Sequence, residues 1–124
     1  MKNEDIEGVK SLLASPKKVV IIPHRNPDGD AMGSTLGLYH YLIKKGHIPT
    51  VIVPNEFPDF LAWLPSAETV KVFERDIQNA TKLIESADVI FTLDFNTLSR
   101  TGDQMEQALK KQEVPFVMID HHQK

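Results

Sequence analysis

Histidine and aspartate are concentrated at three places in this 124-residue sequence. The three groups are His24, Asp28 and Asp30; Asp94 alone; and Asp120, His121 and His122. Imidazole and carboxylate ligands without thiolate are typical of sites for Mn²⁺, Fe²⁺, Co²⁺ or Zn²⁺, and Mg²⁺ is favoured where carboxylates dominate. Because burying an unpaired carboxylate costs several kcal/mol, such a set in one crevice requires positive charge, which divalent cations supply.

The number of candidate ligands exceeds four, which predicts two ions about 3.5–4 Å apart that share a carboxylate. Asp94 is the candidate bridge, since its strand is expected beside the first strand. Such a pair activates a water and stabilises the oxygens of an in-line displacement at phosphorus. Two further residues suit phosphoryl chemistry. Ser34 is expected in the first turn of a helix, where free amides bind anions, and Arg100 has the fork of donors that binds phosphate.

An alternation of strands and helices must position these groups. Apolar runs predict strands over 19–22, 50–53, 70–73, 89–93 and 116–119, and most of them lack a polar face, as in parallel sheets. Helical spacing predicts helices over 3–14, 30–45, 57–64 and 77–86, and a fifth that begins with a capping box over 101–104. The predicted fold is therefore α/β, with a mostly parallel five-stranded sheet and helices on both faces.

The polar groups follow the first, fourth and fifth predicted strands. Because parallel strands end at the same edge, we expect all three groups on one rim of the sheet, where α/β folds bind ligands. Within this set, Asp30 occupies the expected N-cap of its helix. The sequence leaves open whether three residues close to the ligands support them or have no role at the site: Arg25, Thr92 and Asn96.

The remaining histidines and the aromatic residues have ordinary structural explanations. His40 and His47 have no neighbouring carboxylate in the sequence and are interpreted as surface or packing histidines. The aromatic side chains are interpreted as core residues rather than as a platform for stacking bases: Phe57, Phe60, Trp63 and Phe73.

The composition indicates one globular domain, with 41% hydrophobic and 25% charged residues. A net charge of −3 argues against binding nucleic acid through a broad basic field, but a small phosphorylated nucleotide or a short RNA strand in a pocket stays compatible. The absence of cysteine fits a reducing compartment. The apolar runs are too short to cross a membrane and the first residues do not resemble a signal peptide, so we expect a cytoplasmic protein without a membrane partner.

Three motifs in this sequence resemble the first three motifs of the Asp-His-His (DHH) phosphoesterase family. They lie at 23–34 (PHRNPDGDAMGS), 93–96 (LDFN) and 119–122 (IDHH), and the last contains the family's namesake residues. The resemblance extends over the chain from Val19 onward. The wording of the first motif is most similar to the subgroup of oligoribonucleases and 3′-phosphoadenosine 5′-phosphate phosphatases.

The resemblance implies a hydrolase with a dinuclear site, usually loaded with manganese, although Mg²⁺ or Co²⁺ would also suit the ligands. It implies that His24 and Asp28 bind one ion, that Asp30 and His121 bind the other, and that Asp94 bridges them. By the same resemblance His122 faces the substrate phosphate and Asp120 orients a histidine. The implied substrates are short RNA oligonucleotides and 3′-phosphoadenosine 5′-phosphate.

Members of the family also have a fourth motif, with another metal-binding aspartate, and a smaller C-terminal domain that binds substrate. Neither has a candidate before Lys124, so the sequence resembles the N-terminal part of the catalytic domain. From this we expect the 124-residue chain alone to bind metal weakly and to have little activity, with the C-terminal domain as its partner. A homodimer is also compatible with the sequence.

Two other functions are compatible with parts of the pattern. The run Asp28-Gly29-Asp30 suggests an aspartate-nucleophile phosphatase of the haloacid dehalogenase kind, although five residues separate Ile22 from Asp28 and the histidines would have no role. A non-catalytic binding or signalling module would use the acidic pocket for a single Mg²⁺. Such a module would tolerate loss of His121 and His122, whereas a hydrolase would not.

Overall fold

The computed structural model describes residues 6–93 and 101–119. In chain order these residues form α1 (Ile6–Leu12), β1 (Lys18–Pro23), α2 (Gly29–Lys44), β2 (Ile48–Val53), β3 (Lys71–Val72), α3 (Ile77–Glu85), β4 (Val89–Leu93), α4 (Asp103–Lys110) and β5 (Phe116–Ile119). Short 3₁₀ turns at Asp59–Leu61, Ala67–Thr69 and Phe73–Arg75 connect β2 to α3 through β3.

The strands form one parallel sheet in the order β3-β2-β1-β4-β5. β1 lies in the middle and is buried from Val19 to Pro23, because its apolar run offers no polar face to solvent. β3 has only two residues and lies at an edge, as its weaker pattern predicted. The α/β class and the parallel sheet are therefore confirmed, and so is the place of β4 beside β1.

Helices cover both faces of the sheet, and successive residues of β1 alternate between the two cores. Val19 and Ile21 join the core beneath α1 and α2, whereas Val20 and Ile22 join the core beneath α3 and α4. Each Ile or Leu that becomes fully buried in this way stabilises the fold by about 1.5–3 kcal/mol. The carboxyl ends of the strands are thus held by a central sheet packed on both sides.

The segment between β2 and β3 differs from the predicted helix over 57–64. A single short turn forms at Asp59–Leu61, because prolines at 54, 58 and 65 remove amide donors and fix φ at intervals too short for a helix. Leu61 is buried, but Trp63 is 75% exposed, so its interpretation as a core residue was wrong. Phe73 is buried as expected.

The sequence predicted the end of one helix correctly and the start of another incorrectly. Gly46 takes a φ of +89° just beyond α2, which confirms the predicted glycine termination. α4 begins at Asp103 after Gly102, whose φ is +93°, so the capping box with Thr101 at the N-cap was predicted one residue too early. Within the described ranges, none of the helices combines the length and the apolar character needed to span a bilayer.

Candidate functional site

The strands β1, β4 and β5 end in register at one rim of the sheet. Pro23 pairs with Leu93, and Leu93 pairs with Ile119. These three residues are the last of their strands, and in the sequence they are followed by His24, Asp94 and Asp120. Adjacent strands are about 4.8 Å apart, so the three strand ends extend over about 10 Å.

His24 is the first residue of the loop between β1 and α2, and it is half-buried. Its Nδ1 lies 2.8 Å from the carbonyl oxygen of Arg25. Since a carbonyl can only accept a hydrogen bond, Nδ1 carries the proton and donates it. Nε2 then keeps the lone pair with which a neutral imidazole binds a metal ion.

Asp28 is the N-cap of α2, a role predicted for Asp30. Its backbone is extended (φ −95°, ψ −173°), and its Oδ1 accepts a hydrogen bond from the amide of Ala31 at 2.9 Å. The Asp28 carbonyl also accepts from the amide of Met32 at 2.9 Å. The prediction for Asp30 was wrong because α2 begins at Gly29, two residues after Pro27. Only one Asp28 carboxylate oxygen is used by the cap, which leaves the other for a ligand.

Asp30 and Ser34 lie further along α2. Asp30 is exposed in the first turn, where the positive end of the helix dipole stabilises a carboxylate. Ser34 is half-buried in the second turn, where backbone amides are bonded within the helix. The expectation that Ser34 lies among free first-turn amides was therefore wrong, and its contact with substrate stays a prediction.

Two asparagines join the loop after β1 to the segment after β2. The amide of Asn26 donates to Oδ1 of Asn55 at 2.7 Å, and Nδ2 of Asn55 donates to Oδ1 of Asn26 at 2.6 Å. Asn26 has a φ of +57°, in the left-handed region. In the sequence, Asn55 is a polar residue two positions after a predicted strand, so its place near the rim could be predicted. Its pairing with Asn26 could not.

Arg25 links the same loop to two other elements. Its Nη1 is 3.2 Å from Oε2 of Glu74, just after β3, in a half-exposed ion pair of the kind that stabilises by about 0–1 kcal/mol. A β-carbon on Gly102, at the start of α4, would lie 3.2 Å from the same nitrogen. A cavity of about 290 Å³ opens beside these residues and is also lined by Asp103. It borders the rim, whereas a larger and more apolar cavity of about 480 Å³ lies between α1 and α2 and is also lined by Ile119 at the end of β5.

A second ion pair reinforces this side of the rim. Two nitrogens of the Arg75 guanidinium, Nε and Nη2, donate hydrogen bonds to the carboxylate of Glu56. The hydrogen bond from Nη2 is 2.6 Å long. This hydrogen bonding, together with the negative charge of Glu56, raises the pKa of Arg75 further above its ordinary value. The Arg75 guanidinium therefore stays charged, and the pair ties the segment after β2 to the turn after β3.

The buried hydroxyl of Thr92 lies one residue before the end of β4. Thr92 is 1% exposed, and its Oγ1 has no hydrogen-bond partner in the part of the chain that the structure describes. It pairs with Ile22 on one side and Met118 on the other. An unpartnered hydroxyl is costly in a core, so its presence here fits a supporting role at the rim, which stays a prediction.

The described residues near the rim offer donor atoms of the types that bind divalent cations. His24 offers Nε2, Asp28 its second oxygen, and Asp30 an exposed carboxylate, which are the nitrogen and oxygen donors that suit Mn²⁺ or Mg²⁺. Across residues 6–93 and 101–119, no three His, Asp or Glu side chains stand close enough together to hold an ion. The other predicted site residues lie outside the described residues: Asp94, Arg100, Asp120, His121 and His122.

Comparison with known proteins identifies a family and a similar solved structure. Residues 18–124 match the model of the DHH family, N-terminal domain. The structure is similar to that of an exopolyphosphatase-related protein from Bacteroides fragilis, with 44% sequence identity and a TM-score of 0.89 over 96% of this chain and 35% of that chain. The chain thus spans about a third of the length of that relative.

More distant similarity concerns the fold alone. An alpha-glucosyltransferase in complex with UDP and a 13-mer DNA superimposes with a TM-score of 0.69 and 16% identity, over 89% of this chain and 30% of that one. The same enzyme bound to UDP-glucose and DNA with an abasic site gives 0.66 and 17%. No curated protein matches the sequence.

Proposed function

The chain belongs to the DHH family, and from this premise we propose that it forms part of a metal-dependent phosphoesterase. The proposed reaction is the hydrolysis of short oligoribonucleotides, of 3′-phosphoadenosine 5′-phosphate, or of both. The observation that supports it most is the register of β1, β4 and β5, whose last residues Pro23, Leu93 and Ile119 are paired across the sheet. Each of these strands is followed by a His or an Asp.

The dimensions of this rim suit two ions. Three adjacent strand ends extend over about 10 Å. Two ions about 3.5–4 Å apart, with ligands about 2 Å to either side, need a site about 8 Å across. The middle one of these three strands, β4, is followed in the sequence by Asp94. This placement supports Asp94, after β4, as the bridging ligand.

In this proposal the described residues supply metal ligands and hold them in position. His24 presents Nε2 because its Nδ1 donates to the Arg25 carbonyl. Asp28 is held by its cap on α2, and Asp30 adds a carboxylate in the first turn of that helix. Bound cations would supply the Lewis acidity that makes water a nucleophile near neutral pH and would neutralise charge on the phosphoryl oxygens.

The proposed roles outside the described residues follow the family resemblance. Asp94 and His121 complete the ligands, His122 contacts the substrate phosphate, Asp120 orients a histidine, and Arg100 binds phosphate. The name of the relative from Bacteroides fragilis favours a second substrate class, inorganic polyphosphate. Nucleotides and polyphosphate share the phosphoryl group that such a site would bind, so the choice between them is an experimental one.

The test uses the natural protein that contains this sequence, freed of metal by EDTA. A diribonucleotide, 3′-phosphoadenosine 5′-phosphate and a polyphosphate chain are each offered with and without added Mn²⁺. We expect Mn²⁺ to restore hydrolysis of at least one nucleotide, and Asp30→Asn to abolish it. Asp59→Asn, a matched change at an exposed aspartate of the turn at Asp59–Leu61, should leave the rate unchanged.

Three results would contradict the proposal. Hydrolysis that is unaffected by EDTA would exclude metal dependence. Label retained on the protein after acid quenching with ³²P-labelled substrate would show a covalent aspartyl-phosphate and favour the aspartate-nucleophile mechanism. Tight nucleotide binding without turnover, unchanged when His121 and His122 are replaced by alanine, would indicate a non-catalytic binding module.

A further inference from the structure

Asn26 lies midway between His24 and Asp28 and has an unusual backbone conformation. Its φ of +57° places it in the left-handed region, which costs free energy for residues other than glycine and is tolerated best by Asn and Asp. The next residue is Pro27, and a residue before proline is pushed away from the right-handed helical region toward extended conformations. The conformation that competes with the observed one is therefore extended.

The distance between the two ligands depends on which conformation Asn26 adopts. A left-handed residue turns the chain, whereas an extended residue adds its full length to the path from His24 to Asp28. The turn at Asn26 joins β1, whose last residue Pro23 is buried, to Asp28, the cap of α2. A change at Asn26 would therefore move His24 and Asp28 relative to each other.

The bonds that favour the left-handed conformation come from one side chain. Asn55 accepts from the Asn26 amide at 2.7 Å and donates to the Asn26 side-chain oxygen at 2.6 Å. Asn55 is half-buried and follows the buried Pro54, whose ring fixes its own φ, at the end of β2. The half-exposed ion pair of Arg25 and Glu74 also holds this loop, but it is weak and makes no bond to Asn26.

We propose that Asn55 is a positioning residue, whose reciprocal amide pair with Asn26 sets the spacing of His24 and Asp28 for metal binding. This role rests on the proposed function, because it assumes that the two residues bind metal. Asn55 itself touches neither the ligands nor the substrate in this assignment. It acts through the backbone of Asn26, so its effect should depend on the two hydrogen bonds and not on the volume or polarity of the side chain.

The hydrogen bonds make a specific prediction about aspartate substitutions. In Asn55→Asp the carboxylate can still accept from the Asn26 amide, and the Asn26 side chain can turn over and donate its NH₂ to the second oxygen. In Asn26→Asp the new carboxylate accepts from Nδ2 of Asn55, and the backbone bond is unchanged. In the double variant N26D/N55D two carboxylates face each other without a donor side chain between them, so the pair is lost.

The first readout is amide hydrogen exchange of residue 26 in the natural protein without metal. We expect exchange about tenfold faster or more in Asn55→Ala, Asn55→Leu and N26D/N55D, because the amide loses its acceptor or the pair is broken. The two single aspartate variants should keep the wild-type protection. Asn79→Ala, which removes the same type of side chain from an exposed site on α3, serves as the control and should change nothing. Equal protection in wild type and Asn55→Ala would overturn the assigned pair.

The second readout is Mn²⁺ affinity, measured by electron paramagnetic resonance of free Mn²⁺, together with the unfolding midpoint in EDTA. Loss of the pair should weaken binding by about 10–100-fold, as is usual for groups that orient a ligand. The two single aspartate variants should bind Mn²⁺ as tightly as the wild type. In EDTA, the unfolding midpoints of all these variants should differ little from that of the wild type. Wild-type affinity in Asn55→Ala would overturn the positioning role alone. A wild-type protein that binds no Mn²⁺ would overturn the proposed function and, with it, this role.

Discussion

Asp28 has two roles that substitutions can separate. Its Oδ1 caps α2 through the amide of Ala31, and its carboxylate is proposed as a metal ligand. Asn and Ser also cap helices well, but neither has a carboxylate. Asp28→Asn and Asp28→Ser should therefore keep the cap and lose the ligand, whereas Asp28→Ala should lose both.

The structure sets the size of the stability effect. The cap is a single part-buried hydrogen bond of 2.9 Å at the start of a 16-residue helix, and Ala31, the donor, is 1% exposed. Replacing a capping residue by alanine typically costs about 1 kcal/mol, within a range of 0.5–2 kcal/mol. We therefore expect Asp28→Ala to lower the free energy of unfolding by about 1 kcal/mol. Asn and Ser should lower it by much less.

The assays must keep the two roles apart. A bound metal stabilises the folded state by mass action, so unfolding by urea is followed by circular dichroism in EDTA. Mn²⁺ affinity is then measured on the same three variants, and all three should bind more weakly than the wild type. Asn and Ser variants with wild-type affinity would refute the carboxylate as a ligand, and an alanine variant as stable as the wild type in EDTA would refute the cap.

Four further substitutions test features of the fold by urea unfolding. Gly37→Ala lies in the middle of α2 with free space around the new β-carbon, and it should raise the free energy of unfolding by about 1 kcal/mol. Gly46→Ala, at φ +89°, should lower the free energy of unfolding by about 1–2 kcal/mol. Equal effects of the two substitutions would contradict the backbone conformations assigned to these glycines. Gly102→Ala should also cost about 1–2 kcal/mol, because φ is +93° and the new β-carbon would lie 3.2 Å from Arg25; no loss would contradict this close approach. Trp63→Ala should change stability by about 0.5 kcal/mol or less, and a loss typical of a core tryptophan would show that it is not exposed.

The sheet was predictable because its strands carry a strong local signal. The runs at β4 and β5 were predicted with their observed bounds, and β1 with one residue fewer at each end. Burial on both faces selects uninterrupted apolar residues, and this leaves a pattern that can be recognised without knowledge of the partners. The rim followed from the same pattern, because all parallel strands end on one side.

The details of the loops were not predictable to the same degree. Two aspartates precede or begin α2, and the sequence favoured Asp30 as the cap, although the turn of the chain at Asn26 and Pro27 brings Asp28 to that position. The pairing of Asn26 with Asn55 joins residues 29 positions apart, so no local rule indicates it. Trp63 was assigned to the core from its residue type, but the prolines around it prevent the helix that would have buried it.

We propose that two metal ions bind where β1, β4 and β5 end. Crystals of the natural protein grown with Mn²⁺ test it directly through anomalous scattering at the manganese edge. We predict two peaks about 3.5–4 Å apart, with His24, Asp28 and Asp30 among their ligands. A single peak, or peaks that lie away from these three residues, would contradict the claim.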